Sequence, residues 1–168
     1  AYAQRKSNEL GFTNIDYLQA DILHLYQLGK EFDIIESAGV LHHMDEPMAG
    51  WKVLVDLLKP GGLMKIGLYS ELARQHIVKI RKEIASLGLG TSATEIRKFR
   101  QSLAGSHDKK HQLLTKSYDF FSISTLRDLV FHVQEHRFTF LEIKNCLEEL
   151  GLKFCGFENK DIISNFRK

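Results

Sequence analysis

The sequence predicts an α/β protein with a parallel sheet, and two observations carry this prediction. Before residue 70, segments with helical apolar spacing alternate with short apolar runs that are typical of buried strands. Strands that alternate with helices form parallel sheets through right-handed crossovers. The composition, 43% hydrophobic and 26% charged over 168 residues, is that of one globular domain.

The elements before residue 70 follow from local signals in chain order. The opening "AYAQRKSNELGF" predicts the end of a helix that stops at Gly11. "NIDYLQA" then predicts a short strand, and "DILHLY" predicts a short helix or turn. "FDIIES" predicts a parallel strand covered on both faces, and "AGWKVLVDLL" predicts a helix that ends at "KPGG". "LMKIGLYS" predicts a further buried strand.

The pattern changes after Ser70 and becomes mainly helical. Two capping boxes, Ser92 with Glu95 and Thr139 with Glu142, predict helix starts, and "LKFCGFE" predicts a last strand. We therefore expect a single domain over 1–168. Residues 1–70 and 139–158 would form its α/β core, and 71–138 would form a helical substrate or lid region over the strand ends.

Charge and cysteine usage restrict the partners that we expect. The net charge is only +2, and basic residues are scattered among acids, so nucleic acid is not an expected partner. No apolar run reaches the roughly 18 residues that span a bilayer, so no membrane is expected either. Two cysteines without CxxC spacing predict free, buried thiols in the reducing cytoplasm.

Ligands of such sheets bind outside the carboxyl ends of the strands. The three segments expected there are Ala20–Leu23, Glu36–His43 and Tyr69–Arg74. We refer to them below as the first, second and third rims. The second is rich in ionisable groups, since two histidines and two acids follow its strand.

"QADIL", "FDIIESAGVLHHMDEP" and "GWKVLVDLLKPGGLMKIGLYSE" together resemble class I S-adenosylmethionine-dependent methyltransferases, and are most similar to a subgroup often fused to tetratricopeptide repeats. "YDFFSISTLRDLVFHVQEHRFT" is similar to the C-terminal region of that subgroup. The resemblance implies an incomplete Rossmann-like sheet with a helical insertion. It also implies S-adenosyl-L-methionine as cofactor and transfer of its methyl group to an acceptor that the sequence does not identify.

The resemblance assigns cofactor-binding roles to the first two rims. Asp21 matches the acid that accepts a hydrogen bond from the adenine amino group, and Ile22 would contact the purine. Glu36, Ser37 and Gly39 match the segment that lines the methionine part. Two alternatives remain open: Asp21 as a helix N-cap, which is compatible with adenine binding, and Glu36 as a solvated acid at a strand end.

Two features of the family are absent from this sequence, namely the glycine-rich turn after the first strand and the acid that holds the ribose. The chain therefore resembles a domain truncated at the N-terminus and also at the C-terminus. We expect a rearranged sheet, a dimer, another partner chain or a missing part of the protein to cover the strand edges that this leaves unpaired.

Two histidine-containing groups are candidates for contact with the methyl acceptor. His42 or His43 could act as a catalytic base, although packing that shapes the rim is the favoured explanation for the pair. Metal binding by this pair with Asp45 and Glu46 is not expected, because adjacent side chains diverge. The second group lies on a helix that we expect Ser124 to open, with His132 and His136 one turn apart on one face. It contains Arg127, His132, Glu135 and His136, either for substrate recognition or as a helix packed over the cleft. Tyr118, Phe120 and Phe121 are predicted to be core aromatics.

Two functions from different classes fit these observations. The first is a methyltransferase, and the second is a noncatalytic, methyltransferase-like interaction module. An upstream glycine-rich turn and second-strand acid in the same reading frame would favour the first.

We predict that the 168-residue chain by itself binds S-adenosylmethionine weakly or not at all, because the turn that would hold the methionine end is absent from it. Calorimetric titration of the chain measures this directly. Micromolar binding would contradict the prediction.

Overall fold

The computed structural model describes residues 2–132 and 134–158 and has a mixed α/β fold. Its sheet has two parallel strands, β1 (Phe32–Ala38) and β2 (Leu58–Gly67). The α-helices are α1 (Tyr2–Glu9), α2 (Pro47–Asp56), α3 (Gln75–Ser86), α4 (Ala93–Ala104), α5 (Lys109–Thr115), α6 (Ile123–Leu126) and α7 (Phe140–Glu149). Short 3₁₀ helices span Ile22–Leu28, Leu41–His43 and Tyr118–Phe121, and a π-helical turn spans Arg127–Phe131.

The parallel pairing of β1 with β2 across helix α2 confirms the central part of the predicted sheet. "KPGG" differs from its predicted role, because α2 ends at Asp56 and the four residues form an irregular start of β2. The register passes from Phe32↔Leu58 to Ile34↔Leu63. Residues 59–62 of β2 therefore form a bulge opposite Asp33 of β1. A Cβ at Gly62 would lie 2.9 Å from the carbonyl oxygen of Lys59, which explains a glycine there.

Two predicted strands are wrong. Residues 14–20 and 152–158 form no strand ladder with any other part of the described chain. "NIDYLQA" has the right alternation, but a strand also needs a neighbour to satisfy its backbone, and none lies beside it. Ile15 and Leu18 of this segment are exposed.

The two faces of the sheet differ in burial. Ile35, Met64 and Ile66 pack against a buried cluster of Leu41, Trp51 and Leu54, which α7 also contacts through Leu147. On the opposite face Ile34 is 70% exposed and Leu63 is 58% exposed. The prediction that β1 is covered on both faces is therefore wrong in the described chain. Its apolar pattern is present, but only one layer packs on it.

The larger hydrophobic core lies among the helices after β2. Ile77, Ile80, Ile96, Leu103 and Leu126 are almost completely buried in it. Among the predicted core aromatics Phe120 is buried, whereas Tyr118 and Phe121 are exposed because they lie on the outer side of their 3₁₀ turn.

The capping signals were predicted well. Thr139 and Glu142 form a complete, reciprocal capping box at the start of α7. Ser92 caps α4 with its side chain. The carboxylate of Glu95 accepts from the backbone N–H of Gly90, so this pair differs from the reciprocal box at Thr139. Caps depend on residues within four positions, so the sequence identifies most of them, although the helix expected to start at Ser124 has Ser122 as its N-cap residue.

Two further observations concern expectations from composition. No helix within the described ranges is long and apolar enough to cross a membrane. Cys155 is exposed and Cys146 is only partly buried, so the expectation of two buried thiols is wrong. The predicted strand around Cys155 does not form, which leaves its side chain in solvent.

Leu103→Ala should lower the free energy of unfolding by about 3 kcal/mol, because it leaves a cavity in the helical core. The same substitution at exposed Leu87 should change it by less than about 0.5 kcal/mol. Urea unfolding measures both. Equal effects of the two substitutions would contradict the placement of the core.

Candidate functional site

The second and third rims meet where the two paired strands end, as the sequence predicts for parallel strands. The imidazole of His42 stacks on the ring of Tyr69, with centroids 3.7 Å apart and planes inclined by 28°. The guanidinium carbon of Arg74 lies 3.6 Å from the centroid of the same tyrosine ring. Two groups this close cannot share one face, so Tyr69 is held between a histidine and a cation.

His42 is neutral and closed to solvent in this arrangement. It is 1% exposed, and neither ring nitrogen has a hydrogen-bond partner within the described chain. Burial lowers the pKa of His42 from 6.5 to about 4, and the neighbouring His43 contributes in the same direction. The backbone of Gly67 and the carboxylate of Glu135 oppose this shift, but more weakly.

His43 has a different environment from its neighbour. Its ring is partly exposed, and Nδ1 lies 3.0 Å from the carbonyl oxygen of Gln134. Since a carbonyl can only accept, this hydrogen bond places the proton on Nδ1 and the free lone pair on Nε2. Its ring centroid lies 4.0 Å from that of His132.

The segment 134–138, which we call the strap, connects the second and third rims. The backbone N–H of His136 donates to the carbonyl oxygen of His42 at 2.7 Å. The side-chain amide of Gln134 donates to the carbonyl of Met44 at 3.2 Å. At the other end, the backbone N–H of Phe138 donates to the carbonyl of Tyr69 at 2.8 Å. The strap therefore crosses directly over both strand ends.

This geometry corrects the helix predicted after Ser124. Ser122, not Ser124, is the N-cap residue, and the helical backbone ends at Phe131. His132 is extended, with φ −63° and ψ 137°, so His132 and His136 are not on one helical face. The helical spacing continues in the sequence, but the backbone groups of the strap bond to the rims instead.

Glu135 anchors the strap by ion pairs that the helix prediction could not suggest. Its side chain is 1% exposed and accepts two hydrogen bonds from Arg74. Arg81 lies 3.3 Å from the same carboxylate, and Arg137 lies 3.6 Å from it. Burial alone would raise the pKa of Glu135, but the hydrogen bond and charge of Arg74, with those of the other two arginines, lower it below its usual value.

The residues predicted to bind the cofactor lie in two places. Asp21 is exposed and caps the first 3₁₀ helix, accepting from the backbone N–H of Leu23 at 2.9 Å. Ile22 packs beside the cluster around Trp51. At the end of β1, Glu36 is exposed and pairs with Lys65 at 2.8 Å.

Ser37 and Gly39 lie at the same strand end and differ in exposure. The hydroxyl of Ser37 is buried, and no described residue is its hydrogen-bond partner. Gly39 has φ +77°, and a Cβ built there meets no atom within 4 Å. A ligand can therefore approach this backbone closely.

The four residues predicted for substrate recognition separate into two groups. His132, Glu135 and His136 lie together at the rims, whereas Arg127 is exposed on the π-helical turn and forms no ion pair with any described residue. Sequence reasoning missed Arg81, Gln134 and Arg137. Arg81 is one of several basic residues on an amphipathic helix, and nothing local distinguishes it.

No cluster of three or more metal-ligating side chains occurs in the part of the chain described by the structure. An open cavity of ≈560 Å³ lies between α3 and α5. It contains Asp108, which pairs with Lys110 at 3.2 Å. Its lining touches the third rim at Leu72 and Ala73, but it includes no residue of the first or second rim. We therefore take the rims, not this cavity, as the site.

Residues 1–66 match the family model described as a methyltransferase domain. The matched segment contains the first two rims, including Asp21 and Glu36–Gly39. It ends within β2, so the helical region and the strap lie outside it.

Two curated relatives extend this comparison. A ubiquinone biosynthesis O-methyltransferase from Parvibaculum lavamentivorans is 35% identical over 66 residues, which are 39% of this chain and 26% of the relative. An uncharacterized protein from Synechococcus sp. is 28% identical over 170 residues, covering 96% of this chain and 40% of the relative. The chain thus spans less than half the length of either relative.

His42 should make the stability of the protein depend on pH. Its pKa is about 4 in the folded state against 6.5 ordinarily, so the unfolded state binds more protons between these values. Stability is therefore lost as pH falls below 6.5, by about 2 kcal/mol at pH 5 from this residue. His42→Phe keeps an aromatic ring on Tyr69 and should remove that loss.

Urea unfolding at pH 7 and pH 5 tests this expectation. His24→Phe is the matched control, because His24 is exposed and should leave the pH dependence unchanged. The same pH dependence in His42→Phe and wild type would show that His42 is not held neutral by burial.

Proposed function

We propose that this chain forms part of an S-adenosylmethionine-dependent methyltransferase, with the cofactor bound along the first two rims. The observation that carries the proposal is the match of residues 1–66 to a methyltransferase domain, because it includes both rims. The cofactor supplies the methyl group, as an activated substituent on a sulfonium. The protein has to align an acceptor lone pair with it and exclude water.

Asp21 is suited to hold the adenine end. Its Oδ1 accepts the N-cap hydrogen bond from Leu23, and no described residue is a hydrogen-bond partner of Oδ2. Because the side chain is exposed, that second oxygen can accept from the exocyclic amine of a purine. The N-cap and the adenine-binding roles are therefore compatible.

Ser37 and Gly39 are suited to the methionine end. The hydroxyl of Ser37 is buried and has no partner among the described residues, so the proposed contribution of Ser37 is through its backbone at the strand end. The open backbone at Gly39 allows the ligand to lie against the strand end. Glu36 pairs with Lys65, which also pairs with Glu158, so the exposed carboxylate of Glu36 keeps part of its negative charge for a ligand amino group.

His43 is the better base of the histidine pair. Its Nε2 carries the lone pair, and the hydrogen bond from Nδ1 to Gln134 fixes the orientation of the ring. His42 is buried with a pKa of about 4, so burial holds it in the neutral form and it reaches no solvent. Its proposed role is to position Tyr69 and, through that ring, Arg74.

Asp21→Ser tests the cofactor site. Serine keeps the N-cap hydrogen bond, but its side chain is too short to reach the adenine as well. In the protein expressed from its complete reading frame, we expect the affinity for S-adenosylhomocysteine to fall about tenfold, since a hydrogen bond to a charged group is lost. Isothermal titration calorimetry measures this.

Asp16→Ser is the control, because Asp16 is an exposed carboxylate in the same segment. It should leave the affinity unchanged. Equal affinities of the Asp21→Ser variant and the wild type would refute the role of Asp21. If the complete protein does not bind the cofactor at all, the noncatalytic interaction module replaces the methyltransferase proposal.

A further inference from the structure

An open cavity of ≈450 Å³ lies between α3 on one side and residues 130–132, together with Arg137 of the strap, on the other. Three cationic side chains line it, those of Arg81, Lys82 and Arg137. Its lining within the described chain includes no carboxylate. The cavity is therefore positive at its opening.

The remaining wall of this cavity is apolar. It is formed by Val78, Leu89, Val130 and Phe131, among others. Phe131 and Val130 belong to the buried helical core, and Leu89 packs against it. An apolar wall beside cationic groups favours a ligand that has both an apolar body and a negative group.

The cations are not fully neutralised by the protein. Arg74, Arg81 and Arg137 surround Glu135, and Arg137 also pairs with Glu71 at 2.7 Å, so this network has one more guanidinium than carboxylate. Lys82 forms no ion pair with any residue that the structure describes, and adds a further charge. An incoming anion would meet an excess of positive charge without displacing a protein carboxylate.

The local electrostatics of Arg81 agree with this charge count. Burial lowers the pKa of Arg81, and the charges of Arg74 and Arg137 act in the same direction, whereas Glu135 opposes them. A second negative group near Arg81 would therefore relieve repulsion among the three guanidiniums.

The cavity reaches the proposed site through His132. This residue lines the cavity, and its ring centroid is 4.0 Å from that of His43 at the second rim. Arg81 also donates a hydrogen bond to the carbonyl oxygen of His132, two residues before the strap. This bond connects a cationic residue of the cavity to the histidine that lies beside His43.

We propose that this cavity binds the methyl acceptor, and that the acceptor is an organic anion with an apolar body. Its negative group lies near Arg81, Lys82 and Arg137, its apolar part lies against Leu89 and Phe131, and its reacting end lies on the His132 side towards His43. The acceptor role rests on the proposed function above. The anion site itself rests only on the geometry of the cavity.

The experiment separates charge from apolar contact with three probes. We use 2-naphthoate, its neutral analogue 2-naphthamide, and acetate, each titrated into the full chain without cofactor. Amide chemical shifts in ¹H–¹⁵N spectra give both the location and the affinity. We expect 2-naphthoate to shift residues of 78–91 and 130–137, and the other two probes to bind at least about tenfold more weakly.

Two variants test the location. Lys82→Gln removes one cation that holds no described carboxylate, and should weaken 2-naphthoate binding about fivefold. Ala85→Trp fills the cavity from an exposed helix position and should abolish binding. Lys79→Gln is the matched control, since Lys79 is exposed on the same helix but lines the other cavity.

The outcomes are distinct. Binding of 2-naphthamide as tight as that of 2-naphthoate, equal effects of Lys82→Gln and Lys79→Gln, or shifts outside the cavity would overturn the proposal of an anion site. If 2-naphthoate binds as expected and the complete protein does not bind S-adenosylhomocysteine, the anion site stands and its role as acceptor site is overturned.

Discussion

The arrangement of the candidate site depends on one buried carboxylate. Glu135 joins Arg74 at the end of the third rim, Arg81 on α3 and Arg137 on the strap itself. Removing one partner of such a buried network typically costs about 3–5 kcal/mol, because the remaining charges stay buried and uncompensated. This ion-pair network acts together with the hydrogen bonds from the strap to the carbonyls of His42, Met44 and Tyr69. Arg74 in turn fixes Tyr69, and Tyr69 fixes His42.

The chain has two hydrophobic clusters, one among the helices after β2 and one on a face of the sheet, and each supplies different residues to the site. The helical core from α3 to the π-helical turn is well buried, and it holds Arg81 and the residues that lead into the strap. The sheet is thinner, since α2, the first 3₁₀ helix and α7 cover one face, while Ile34 and Leu63 are exposed on the other. The site lies where these two parts meet, which is where strand ends and helix starts supply unpaired polar groups.

The two neighbouring histidines illustrate how burial divides roles between identical side chains. His42 has no hydrogen-bond partner in the described chain and is kept neutral by desolvation. His43, one residue later, reaches the carbonyl of Gln134 and keeps a lone pair available. The two ring centroids lie only 4.4 Å apart, but the ring of His42 stacks on Tyr69, whereas the ring of His43 bonds to the strap at Gln134. The proposed acceptor cavity adjoins only the second.

The sequence by itself determined the local features: the caps at Asp21 and Thr139, helix α2, the strands "FDIIES" and "LMKIGLYS", and the polar rims that follow them. Each of these depends on residues a few positions apart. Only the tertiary structure decided that "NIDYLQA" pairs with no strand among the described residues and that the helix after Ser122 ends at Phe131. The contacts of Arg74 and Arg81 with Glu135, and of His43 with Gln134, join residues 54 to 91 positions apart. Local propensity cannot contain such distant partners, and they outweigh it wherever they satisfy buried backbone and charged groups.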